Sequence, residues 1–147
     1  GIASPANFKV YFGTNQRELV EAAGGLVEGT EKVISGGPMM GFAMYSLDVP
    51  VTKTTSAIVC LKTDAVSAME PTPCINCGRC VEVCPSRLIP SHLAKVAERG
   101  DEEGFVKLNG LECMECGSCS YVCPAKRQLK QAIGSMRKTT LANRRKK

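Results

Sequence analysis

The sequence contains no tryptophan, and aromatic residues make up only 5% of its 147 positions, so large rings do not supply its core. No apolar run approaches the roughly eighteen residues that span a membrane. The longest candidates, such as Ala57–Leu61, are strand-sized. No stretch reads as a secretory signal peptide, which counts against a disulfide-bonded secreted chain. There is one histidine, His92, and no acid–base pair or activated nucleophile. Hydrolytic and group-transfer chemistry by side chains alone is therefore not expected. The Gly36–Gly41 stretch GGPMMG lacks the Lys-Ser/Thr of a phosphate-binding loop. The chain starts at Gly1 and runs almost directly into a strand-like segment, so it reads as a piece of a longer protein.

Acidic residues are missing from one end. None follows Glu115. Residues 1–70 hold five basic against seven acidic side chains, and residues 71–147 hold fourteen against seven. The tail ends in RRKK, Arg144–Lys147. A nucleic-acid reading would start from that tail. A solvated terminus is the plainer reading, and no nucleic-acid partner is expected.

What is plentiful is cysteine, with nine residues, eight of them in an internal repeat. CINCGRCVEVCP (Cys74–Pro85) and CMECGSCSYVCP (Cys113–Pro124) share cysteine spacing, a glycine after the second cysteine and a terminal Cys-Pro. Disulfides fit poorly: the count is odd, and neighbouring Cys-x-x-Cys sulfurs would close strained rings. Structural zinc takes cysteines as two separated pairs, whereas a run of three is one too many for a knuckle and one too few for a closed site. A [4Fe–4S] cube fits. Three cysteines wrap three corners, and in the bacterial two-cluster arrangement the cysteine before proline serves the other cluster. The expected ligands are Cys74, Cys77, Cys80 and Cys123 for one cluster, and Cys113, Cys116, Cys119 and Cys84 for the other. Each repeat then completes its neighbour's site.

The intervening residues suit this. Gly78 and Gly117 remove a Cβ where backbone passes near a cube, and Pro85 and Pro124 break the chain after the last ligand. Ile75, Val81, Val83, Met114, Tyr121 and Val122 read as a shield for the clusters or as ordinary core. Arg79, Arg87, Lys126 and Arg127 read as cations favouring the reduced cluster or as a solvated basic face. Two cubes of about −2 each would take the formal charge of +5 to about +1. Cys60, alone in Thr54–Lys62, reads as a small core residue, and His92 as a surface residue at a helix start.

The expected fold class is α+β, a small β-grasp-like domain followed by an α-helical two-cluster domain. Phe8–Thr14 alternates like a strand. Asn15 and Glu18 resemble a capping box for a helix from about Gln16 to Ala23, stopped by Gly24-Gly25. Lys32–Gly37 and about Ser56–Leu61 read as further strands. Residues 1–65 form the first domain, 66–73 a linker, 74–138 the cluster domain and 139–147 a basic tail. Between the motifs, Ser91 is the expected cap of one helix ending at Gly100, and Asp101 the cap of a second. A third, after Pro124, would carry Ala125, Leu129, Ala132, Ile133 and Met136 on one face.

Four stretches together resemble a known family. Val33–Met44 (VISGGPMMGFAM), Asp48–Val59 (DVPVTKTTSAIV), Cys74–Pro85 and Cys113–Arg127 are similar to RnfC, the C-subunit of the Rnf ion-translocating electron-transport complex. The glycine-methionine and VPVTK segments are the more specific, since many ferredoxins share the cysteines. The resemblance implies a soluble-ligand-binding β-grasp domain and a ferredoxin-like domain with two [4Fe–4S] clusters. It also implies FMN and NADH, which would sit in an upstream domain that nothing in this chain matches. By the same resemblance, electrons would pass from NADH through flavin and the clusters to other subunits of a membrane complex, a ferredoxin-like subunit among them. Ferredoxin and NAD redox would be linked there to Na⁺ or H⁺ movement. The chain would then lie peripherally at the cytoplasmic face of the cell membrane. The alternatives are a cobalamin reductase of similar domain order, another soluble oxidoreductase, or a ligand-binding module with secondary clusters.

Overall fold

A computed structural model of the chain describes residues 1–146. The residues divide into two compact units, Gly1–Ala68 and a second that begins at Met69. The class is α+β.

In the first unit, helix α1 spans Gln16–Ala22. Its N-cap is Asn15, whose side chain accepts from the Arg17 amide at 2.9 Å. The expected capping box is thus half formed, because the bond goes to the second helical amide and Glu18 supplies acidic charge in the first turn. The helix ends in a Schellman motif. The Gly24 amide donates to the Glu21 carbonyl and the Gly25 amide to the Val20 carbonyl, both at 2.9 Å, with both glycines at positive φ.

Three strands follow, β1 (Lys32–Ser35), β2 (Phe42–Met44) and β3 (Ile58–Leu61). They form an antiparallel sheet in the order β2-β1-β3. Val33 pairs with Met44 on one side and with Cys60 on the other. GGPMMG is the turn between β1 and β2, and the sequence pattern alone does not separate β2 from that turn. Cys60 is half-buried on an edge strand, not a fully enclosed core residue, and burial raises its thiol pKa.

The strand expected over Phe8–Thr14 does not form. Gly13, at φ 92°, turns the chain, and its amide donates to the Val51 carbonyl at 2.8 Å. Tyr11 and Phe12 stay exposed. Only the end of the stretch meets a neighbour, where Val51 bonds Gly13 and Thr14 and Asn15 bridges Pro50, and alternation alone makes no strand without a longer ladder.

The second unit is helical. Short helix α2 (Arg79–Glu82) follows the first two cysteines of motif one, and α5 (Ser118–Tyr121) holds the same place in motif two. Helix α3 (Pro90–Glu98) starts at Pro90 with Ile89 as N-cap, so the expected cap Ser91 lies inside it. Proline at the first helical position loses no bond, which explains the earlier start. Asp101 caps α4 (Glu102–Lys107) as expected, its Oδ1 accepting from the Gly104 amide at 2.8 Å. Helix α6 (Leu129–Arg145) covers seventeen residues, about 25 Å. It takes in most of the basic tail set apart at 139–147, since Arg144 and Arg145 lie in its last turn, where cations favour the helix dipole.

The core joins α3, α4 and α6 through Leu88, Leu93, Ala94, Phe105, Leu129, Ile133 and Met136. Leu129, Ile133 and Met136 are the helical face expected from the spacing. Ala125 is buried too, but it precedes the helix.

Candidate metal centres

The duplication reaches well beyond the cysteines. Asn76, Gly78 and Arg87 have φ of 53, 79 and 51°, and Glu115, Gly117 and Lys126, each thirty-nine residues later, have 56, 84 and 53°. Helix α5 repeats α2, and α6 starts where a repeat of α3 should. The same left-handed backbone is thus built twice. Gly78 and Gly117 adopt it without Cβ strain. Asn76 and Glu115 adopt it at some cost, held by the loop around them.

Two cavities result. The first, about 220 Å³, is lined by Cys74, Cys77, Cys80 and Cys123. The second is narrower, about 20 Å³, and is lined by Cys113, Cys116, Cys119 and Cys84. Three cysteines of one motif thus meet the last cysteine of the other, twice. The donors are soft thiols in fours, which suit iron–sulfur chemistry. Among the described residues, no three His, Cys, Asp or Glu side chains stand close enough to share one metal ion.

Several groups already address the sulfurs. The Leu88 amide donates to Cys84 Sγ at 3.3 Å, and the Glu115 amide to Cys113 Sγ at 3.4 Å. The Cys74 thiol donates to Asn76 Oδ1 at 3.6 Å. Burial pushes the Cys119 thiol up to about 11 and raises Cys113 as well, against the opposing help of nearby amides. Cys77 is the one exposed thiol of the eight.

Of the expected cations, Arg127 lines the first cavity, whereas Arg79, Arg87 and Lys126 are exposed and line neither. The Arg127 Nη2 donates to both oxygens of Glu98, 2.6 Å to Oε2. That bond raises the guanidinium pKa over the opposing effect of burial, and the nearby Cys74 and Cys123 sulfurs add to it. His92 is exposed, as expected at a helix start, yet it also borders the first cavity. The expected shield is partial. Ile75, Val81, Val83, Met114 and Tyr121 are all exposed, while Val122 is half-buried.

Sequence reasoning missed Glu115 and Lys130, which line the second cavity. Aligning the repeats beyond the cysteines would have found them, because Asn76 and Ser91, one repeat earlier, line the first.

Residues 73–127, within the second unit, match the 4Fe-4S dicluster domain family, which supports iron–sulfur clusters there. The chain is 41% identical over 145 residues to the C-subunit of the Na(+)-translocating ferredoxin:NAD(+) oxidoreductase complex of Acetobacterium woodii, covering 99% of this chain and 33% of that protein. It is 45% identical over 133 residues to the C-subunit of the proton-translocating ferredoxin:NAD(+) oxidoreductase complex of Clostridium ljungdahlii, covering 90% and 29%. To the C-subunit of the ion-translocating oxidoreductase complex of Rhodobacter capsulatus it is 40% identical over 108 residues, covering 74% and 21%. The chain is thus a homologue of part of the RnfC proteins, and it spans a third or less of the length of these curated relatives.

Proposed function

We propose that this chain is the cluster-bearing part of an RnfC-type protein and relays electrons through two [4Fe–4S] clusters. Cys74, Cys77, Cys80 and Cys123 hold one, and Cys113, Cys116, Cys119 and Cys84 hold the other. The observation that carries the reading is the lining of the two cavities, each with three thiols of one motif and the last of its partner.

When bound, such a cluster takes up and gives back one electron. The chain's own residues do the rest. The eight thiols lose their protons and become ligands. The Leu88 and Glu115 amides donate to ligand sulfur and so favour negative charge there. The packed faces of α3 and α6 hold the two motifs in fixed relation, which keeps reorganisation small. Electrons arrive from NADH through flavin bound elsewhere in the intact protein. They leave to neighbouring subunits of the membrane complex, a ferredoxin-like one among them, at the cytoplasmic face. Transfer is coupled there to Na⁺ or H⁺ movement, as the relatives' names describe for their own complexes. Among the described residues no helix is long and apolar enough to cross a membrane, which suits peripheral attachment.

The test is anaerobic reconstitution followed by iron and sulfide analysis. The expected result is about eight of each per chain. About four, or zinc alone, would reject the two-cluster reading.

A second reading is favoured by one feature of the first unit. A cavity of about 380 Å³ opens among Ile2, Phe8, Val10, Leu19, Val51 and Ile58. Asn7, Thr55 and Ser56 add polar groups to this wall, and its size and mixed lining suit a small ligand. Calorimetric titration of the chain with a cobalamin, of which a cavity this size takes only a part, tests it: saturable heat supports a ligand-binding role, and its absence rejects a cobalamin as the ligand.

A further inference from the structure

The two cavities are repeats of each other, and this makes their differences informative. Arg127 lines the first. The residue one repeat earlier, Leu88, lines the second. One site therefore carries a guanidinium where the other carries an isobutyl group. Resting on the two-cluster reading above, we propose that Arg127 is a positioned cation that raises the reduction potential of the centre at Cys74, Cys77, Cys80 and Cys123.

The electrostatics are direct. One-electron reduction adds one negative charge to the centre and moves no proton. A cation held close by stabilises that added charge, and it does so more strongly where water is excluded. The Arg127 side chain is only 16% exposed, and it stands at the cavity wall with Cys74 and Cys123. Its counter-ion Glu98 is 49% exposed and does not line the cavity. Solvent screens the wetter carboxylate, which is not part of the cavity wall, more than the enclosed guanidinium, so the positive field prevails at the sulfurs. His92 and the amide side chain of Asn76, also at this wall, do not offset a full charge. At the second cavity, Arg137 reaches Glu115 at 3.3 Å from outside the lining, which leaves Lys130 as that wall's cation, at the position Ser91 holds in the first. No cation takes the place of Leu88 there.

The test uses the reconstituted full chain, with each centre's midpoint potential read by dye-mediated titration and electron paramagnetic resonance at fixed pH. Cys77→Ser and Cys116→Ser assign the two signals. Iron analysis comes first: about eight irons per chain sustains the two-cluster reading independently of any shift. Arg127→Gln is expected to move the first centre to lower potential and leave the second in place. Arg127→Lys, which keeps the charge, should restore most of the parent value. Glu98→Gln, which keeps an acceptor for Arg127 and removes the opposing charge, should move the first centre upward. The proposal fails if Arg127→Gln leaves the first centre unmoved, or shifts both centres alike. It also fails if Glu98→Gln and Arg127→Gln shift the centre in the same direction, the mark of a pair that matters only for packing. Should Arg127→Gln not hold its clusters, Glu98→Gln decides alone: a rise supports the proposal, and no change or a fall overturns it.

Discussion

Gly110 lies against the ring of Phe105 with no room for a methyl group. A Cβ at Gly110 would stand 2.5 Å from two ring carbons and 2.6 Å from a third. Phe105 is fully buried, in the core shared by α3, α4 and α6. Gly110→Ala must therefore push the ring or the 3₁₀ turn at Gly110–Glu112 out of place. The expected cost is about 1–3 kcal/mol. Chemical denaturation under anaerobic conditions should show the lower midpoint, with earlier loss of visible colour. Unchanged stability would mean that this core is looser than its packing indicates.

The crossing of ligands makes Cys84 and Cys123 the most telling cysteines. Cys123→Ser is expected to damage the centre whose other thiols are Cys74, Cys77 and Cys80, although it sits in the second motif. Cys84→Ser should damage the other. Paramagnetic resonance of the two single variants reads this directly. Loss confined to the centre of each residue's own motif would reverse the assignment.

Thiol reactivity should divide along burial. Only the thiolate attacks an alkylating reagent. In the iron-free chain near pH 8, Cys119, with its thiol pushed up to about 11, should react about a hundredfold more slowly than an ordinary thiol. Cys77 is exposed and should be modified first. Peptide mass mapping over time would rank them. Equal rates would show that the metal-free loop does not keep Cys119 enclosed.

Asp48 and Arg17 form a two-bond ion pair in the first unit, both contacts at 2.7 Å. The Arg17 hydrogen bond, followed by smaller help from its charge and from Asn15 and Ser46, holds the Asp48 carboxyl at about 2. The folded state thus binds this proton more weakly than the unfolded state does. The pair's contribution is present above the ordinary carboxylate value of about 3.9 and is lost as pH falls through about 2. Arg17→Gln should return the Asp48 titration, followed by carboxyl carbon resonance, to the ordinary range. Both groups are well exposed, so stability near neutral pH should change little.

The duplicated Cys-x-x-Cys-x-x-Cys-x-x-x-Cys-Pro run announced iron–sulfur chemistry because ligand type and spacing are properties of the chain itself. The caps at Asn15 and Asp101 and the apolar face of α6 were legible for the same reason, since each depends on neighbours within a turn or two. The false strand at Phe8–Thr14 and the unseen β2 have the opposite cause. A strand exists only where a partner supplies its hydrogen bonds, and that partner lies far off in sequence. Tertiary structure alone decided that Arg127 stands at one cavity while Arg79, Arg87 and Lys126 face water. All four lie near cysteines along the chain, but a charge acts through distance and burial in space, and only folding sets those.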